Sequence, residues 1–324
     1  MKTKRQLTLL FSLASLLLFA CGLFDNNSEP NASGVSQEDE FALEDAYYAT
    51  QEAIETEAAS VHAPTPNLRI ETVPEDADAA FQIFDQYIKV FGLHVYASVD
   101  VPAEKVIHAA SVMAQYLDND EDGEVDDPEI IKALQAKDAT IFIFPRPDSP
   151  DEESFINSVE YLLDKDLLAL QPLYGEEIFP NSAAIGEFDA SLEEIFHLIS
   201  NTGYATVYPD IFGEEPGTAI ADAMDTARGG YFKDVPESYS TEAWFTYDDD
   251  TCDYACMISE YHYWAITSLI GGQDYPGRFD EIGHEWKLNT PEKLQDGDPA
   301  IYALLTDPQY HQPSVLPDGN YQPE

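Results

Sequence analysis

The stretch Asp189-Ala-Ser-Leu-Glu-Glu-Ile-Phe-His-Leu-Ile-Ser-Asn201 leaves little choice of local structure. Leu192, Ile195, Phe196 and Ile199 recur at i, i+3, i+4 and i+7, the spacing of a helix that buries one stripe. Glu193 and His197 lie one turn apart on a neighbouring face, so their side chains point the same way, and Glu194 falls beside His197. A carboxylate and an imidazole so spaced can hold one metal ion, with a second carboxylate placed over its bound water. A plainer alternative is local. Ser191-x-x-Glu194 has the spacing of a capping box, in which Glu194 bonds the backbone, Glu193 faces the helix dipole and His197 is a partly buried histidine.

The run E-E-x-x-H resembles the H-E-x-x-H helix of zinc metallopeptidases, with Glu193 standing where the family has its first histidine. In the gluzincin type the resemblance implies a further ligand, a Glu on a later helix. Glu260 in Met257-Ile-Ser-Glu-Tyr-His-Tyr-Trp264 fills that place, in an otherwise apolar helix where an unpaired carboxylate is costly. His262, two residues on, points away from the Glu260 face. The implied assignment is Glu193, His197 and Glu260 as zinc ligands and Glu194 as general base, passing a proton to the leaving amine. Tyr204, Tyr261 or Tyr310 would stabilise the oxyanion. Two carboxylates donate more charge than one, so zinc held this way is a weaker Lewis acid. Glu194-x-x-His197 also fits the i, i+3 unit of di-iron bundles, but the second unit is missing. His284-Glu285 is half of the zinc motif and is expected to be a surface turn, while His94 and His108 are expected to be satisfied core residues.

Asp118-Asn-Asp-Glu-Asp-Gly-Glu-Val-Asp-Asp-Pro-Glu129 resembles an EF-hand calcium loop. The resemblance makes Asp118, Asp120 and Asp122 the ligands at positions 1, 3 and 5, with Gly123 at the sharp turn. Glu124 would contribute its backbone carbonyl, Asp126 position 9, and Glu129 the bidentate carboxylate. Helices expected at Glu104–Leu117 and Ile130–Ala136 give the helix–loop–helix context. EF-hands normally pair and this chain has one such loop, so the implied role is a structural calcium site. The alternative is a plain acidic turn in an acidic protein.

Acidity is general. Among 324 residues there are 62 Asp and Glu against 15 Lys and Arg, a formal charge of -47. Such a surface repels phosphate backbones, which excludes nucleic acid as a partner, and attracts divalent cations. At the N-terminus Lys2, Lys4 and Arg5 precede an apolar run from Leu7 to Ala20, too short for a comfortable membrane span. The following Cys21-Gly22 resembles the lipobox of bacterial lipoproteins, which implies cleavage before Cys21, lipid on its sulfur and anchoring to a bacterial membrane, the outer one by expectation. An ordinary signal peptide cut near Ala20 is the alternative, and export follows from either. In an exported chain Cys252 and Cys256 are expected to form a disulfide, a C-x-x-x-C metal pair being the lesser reading.

Residues 21–67 read as an acidic tether, with helical character at Glu40–Ser60. A single folded domain is expected over 68–310, followed by a Pro-rich tail over 311–324. Strands are expected at Leu68–Val73, Gly92–Val101 and Ala139–Phe144, the last a continuous apolar run ended by Pro145. Helices are expected at Asp76–Val90, Pro102–Leu117, Glu152–Leu163, Pro216–Arg228, Cys256–Ile270 and Pro299–Leu305, with mixed structure at Leu167–Phe179. This is an α+β fold in which a small strand-and-helix part packs on a mostly helical one. The expected function is calcium-stabilised, zinc-dependent hydrolysis of peptide or amide bonds in a membrane-anchored protein. Its rival is a non-catalytic calcium-binding surface lipoprotein that binds a partner or a glycan.

Overall fold

Phe91 and Gly92 both take positive φ, 47° and 91°, the two-residue turn whose twist suits an antiparallel hairpin. It joins β1 (Gln86–Val90) to β2 (Leu93–Ala97), with Val90 paired to Leu93 and Gln86 to Ala97. The computed structural model describes residues 65–163, 165–180 and 182–323. The expected signal sequence, Cys21, the helical expectation at Glu40–Ser60 and nearly all of the expected tether lie outside the described residues.

From β2 the chain runs through α1 (Ala103–Leu117) and α2 (Pro128–Ala136) to β3 (Thr140–Phe144), which pairs parallel with β2. A further crossover, α3 (Pro150–Leu163), leads to β4 (Leu170–Tyr174), parallel to β3. The mixed sheet has the order β1-β2-β3-β4. Every residue of β3 is buried, as a strand covered on both faces requires. Beyond the sheet the described chain is helical: α4 (Ser191–Leu198), α5 (Ala219–Arg228), α6 (Tyr254–Leu269), α7 (Pro291–Gly297) and α8 (Pro299–Leu305). The fold is α+β, with its strands in the N-terminal half.

The helix expected over Asp76–Val90 is not formed. A 3-10 turn at Ala79–Ile83, capped by Asp78, gives way to strand β1. Phe81, Phe84 and Tyr87 join Tyr96, Phe142 and Phe155 in an aromatic cluster on one face of the sheet, so tertiary packing outweighs a local helical period. The expected strand at Leu68–Val73 shrinks to one isolated bridge between Glu71 and Tyr87.

Residues 311–323, set apart from the domain as a tail, belong to the folded unit. Tyr321 is buried and packs edge-on against Phe91, Asn119 bonds the backbone of Ser314 and Val315, and Gln115 donates to Asp318. The sulfurs of Cys252 and Cys256 are bonded, just before and inside the first turn of α6. Among the described residues no helix is long and apolar enough to cross a membrane.

Candidate metal centre

Helix α4 is placed by three contacts at its start. Buried His108 of α1 meets Asp189 at 2.6 Å, and the other Asp189 oxygen accepts from the backbone N–H groups of Ser191 and Phe179. Tyr116 of α1 donates its hydroxyl to the Leu192 carbonyl at 2.8 Å. The stripe Leu192, Ile195, Phe196 and Ile199 is buried throughout, as its spacing requires. A capping box is not formed. Ser191 lies inside the first turn, its buried hydroxyl has no partner, and Glu194 instead accepts from Gln171 of β4.

Helix α6 passes beside α4 and brings Glu260 to His197. His197 Nε2 and Glu260 Oε1 stand 3.9 Å apart, and His197 Nδ1 lies 3.7 Å from Glu194 Oε2. Ligand atoms of Glu193, His197 and Glu260 all fall within 4.8 Å of one another. Two donors each about 2.0 Å from a tetrahedral zinc stand ~3.3 Å apart, so small rotamer shifts bring this group to ligating distance. Nε2 of His197 is buried and has no hydrogen-bond partner. An orphaned imidazole nitrogen facing carboxylates is costly unless something fills the gap, and a cation fits that chemistry.

The local field has the same bias. Burial alone would lower the His197 imidazole, but Glu260, Glu194 and Glu193 outweigh it and push it up to about 9. Burial, then repulsion from Glu260 and Glu194, pushes the Glu193 carboxyl far up. Glu260 is raised by burial as well, with the Tyr247 hydroxyl bonded to it in partial relief. A divalent cation would relieve the same crowding of negative charge that protonation relieves.

Further groups at this place carry no recognisable sequence signal. Tyr247 is buried, and its hydroxyl is held protonated by burial and by Glu260, Glu193 and Glu285. The helix continues past α4 as a π-helical turn, Ile199–Tyr204, which sets Asn201 against Ser259 of α6. With its amide nitrogen as donor, Asn201 reaches Glu214 Oε1 at 3.0 Å and the His197 carbonyl at 3.3 Å. Burial pushes half-buried Glu214 up to about 7, against a lowering bond from Ser259. Such wide turns are frequent next to functional residues.

The three tyrosines expected at the oxyanion are elsewhere. Tyr204 donates to the His311 carbonyl, Tyr261 to Asp298, and Tyr310 packs on Tyr208 and Phe212. His262 points away from the centre, as expected: it stacks on Phe212 and faces Gln312, and burial depresses it to about 3. His94 bonds Tyr87 and Asp138, and His108 bonds Asp189, so both are satisfied. Exposed His284 forms, with Asp248 and half-buried Glu285, a second group whose ligand atoms lie within 4.8 Å.

In the acidic loop, helices α1 and α2 flank the turn where expected. The structure brings Asp118, Asp120 and Asp126 together. Asp122 stands outside that group and accepts from the Glu124 N–H, while the exposed Glu129 side chain lies 3.6 Å from Lys132. Gly123 has a φ of 91°, the conformation that the sharp turn requires. Asp118 is fully buried and accepts from the N–H groups of Asp122 and Gly123 and from the Tyr321 hydroxyl. Comparison of the chain with known proteins finds no matching family model, no similar curated protein and no similar solved structure.

Proposed function

We propose that the chain is a divalent-cation-dependent hydrolase of peptide or other amide bonds, exported and lipid-anchored through Cys21. One observation carries the metal centre: the unpartnered Nε2 of buried His197, 3.9 Å from Glu260 in a group that includes Glu193. Those three side chains would hold the cation, zinc by the choice of an imidazole with carboxylates. Bound there, the ion would polarise a carbonyl and acidify water. Glu194, on the Nδ1 side of His197, orients the ring so that Nε2 faces inward. The general-base role expected of Glu194 would need its carboxylate to turn from Nδ1 and Gln171 toward water on the Nε2 side. Tyr247, bonded to Glu260, is the hydroxyl at hand for the oxyanion. Calcium would sit at Asp118, Asp120 and Asp126 as a structural ion.

A second proposal is a non-catalytic, calcium-stabilised surface lipoprotein that binds a partner or glycan. It is supported by the burial of Glu194, His197 and Glu260, each under a tenth exposed, which leaves partly exposed Glu193 as the approach. Metal analysis of the wild type and His197→Ala, paired with cleavage of a quenched peptide library by each, separates the two. Stoichiometric zinc and cleavage in the wild type, both lost in the variant, support the hydrolase. Zinc without cleavage leaves the binding protein, and equal metal content in both proteins removes the centre itself.

A further inference from the structure

We infer that the substrate of the His197 centre is cationic: a peptide or other amide bearing lysine, arginine or another alkylammonium group close to the reacting bond. The inference deepens the hydrolase proposal and rests on it. The general charge of -47 does not decide the matter, because at physiological ionic strength fields fade within about 8 Å. What decides it is the charge beside the centre. Glu193, Glu194 and Glu260 surround one imidazole, and a single divalent ion balances two of the three carboxylates.

Next to them the chain places a rim of the same sign. Residues 244–248 are laid against 284–287 by backbone bonds from Thr246 N–H to the Glu285 carbonyl and from Lys287 N–H to the Trp244 carbonyl. The Thr246 hydroxyl adds a bond to the His284 carbonyl at 2.6 Å. This pairing fixes exposed Asp248 beside Glu285, with Asp249 following. Rim and centre are neighbours: Phe245 and Trp286, bridged across the two segments, both pack their rings on Tyr261, the residue after Glu260, at 5.5 and 6.0 Å.

Cationic side chains near this rim are already engaged. Arg278 is buried, donates to Gln273 and Glu281, and lies over the rings of Phe188 and Trp264. Lys287 donates to the Ala243 carbonyl. An incoming carboxylate or phosphate would meet like charge, whereas an ammonium or guanidinium group would be drawn in and oriented.

The test gives the zinc-loaded full chain two fluorescent octapeptide pools, one rich in Lys and Arg and one in Asp and Glu. Anisotropy reads binding, and mass spectrometry of the same samples reads cleavage. The basic pool is expected to bind at least tenfold tighter at 50 mM salt, with most of that preference gone at 500 mM. Asp248→Asn/Glu285→Gln should cut the preference at least threefold while the zinc that His197→Ala removes is retained. Equal binding of the pools, or a preference indifferent to the double substitution, overturns the inference. Discrimination in binding with both pools left intact upholds a cationic ligand and overturns the hydrolase, so the two fail separately.

Discussion

His197 Nε2 and Glu260 Oε1, contributed by helices α4 and α6, stand 3.9 Å apart without a hydrogen bond between them. That gap makes an unusual prediction for Glu260→Gln. Because burial raises the Glu260 carboxyl in spite of the attraction of His197, removing its charge relieves a desolvation cost in the metal-free protein. The chelated variant should melt no lower than the chelated wild type, while the gain in melting temperature on adding zinc disappears. A variant that is less stable without metal yet still stabilised by zinc would show that Glu260 is a structural partner and no ligand.

Glu177 and Glu214 give the metal-free protein a definite pH dependence. Burial raises each carboxyl to about 7, with Glu194 adding repulsion at Glu177. An unfolded Glu titrates near its ordinary value of about 4.3, so the folded state binds more protons between that value and 7. Their contribution is full below the unfolded pKa and is lost as pH rises through 7. Denaturant titrations of the chelated protein should show stability falling from pH 5 to pH 8, and Glu177→Gln/Glu214→Gln should flatten that slope. A slope of unchanged steepness in the double variant would count against these two groups as its source.

Periodicity made α4 and α6 legible, because a buried stripe at 3.6-residue spacing is written locally, and the all-apolar run of β3 was equally plain. Strand β1 was not. Its residues also fit a helical period, and only the Phe91-Gly92 turn and the pairing with β2 decide the matter. The convergence of Glu193, His197 and Glu260 could be named from the resemblance to metallopeptidase motifs, but Tyr247 and Glu214 could not. Their places depend on loop paths, and a tyrosine or glutamate in a loop carries no signal of what it faces. The acidic loop was read by position, yet Glu129 turns to Lys132 instead of joining Asp118. A carboxylate on the first turn of a helix has an i+3 partner open to it that a position count does not reveal.

His108 and Asp189 form the buried bond that fixes where α4 begins. His108→Ala would leave one buried Asp189 oxygen without its partner, and an unsatisfied buried hydrogen-bonding group costs about 1–3 kcal/mol. Urea unfolding should show a loss of that order, with His108→Gln recovering part of it as a neutral donor. A cost below about 1 kcal/mol would mean that Tyr116 and the packed stripe position the helix unaided.

Tyr321 donates its hydroxyl to Asp118, the residue at the first position of the acidic loop, and so joins the C-terminal segment to the proposed calcium site. Tyr321→Phe keeps the ring that packs against Phe91 and removes only this bond. A hydrogen bond to a charged group is worth about 1.5–3 kcal/mol, so the variant should melt lower in chelator. Calcium at Asp118, Asp120 and Asp126 would supply the positive partner that the hydroxyl dipole now provides. Adding calcium should therefore raise the melting temperature of both proteins, and raise that of the variant more, narrowing the gap between them. If chelation followed by calcium return leaves both melts unchanged, the loop is an acidic turn held by its own backbone bonds and by the tyrosine.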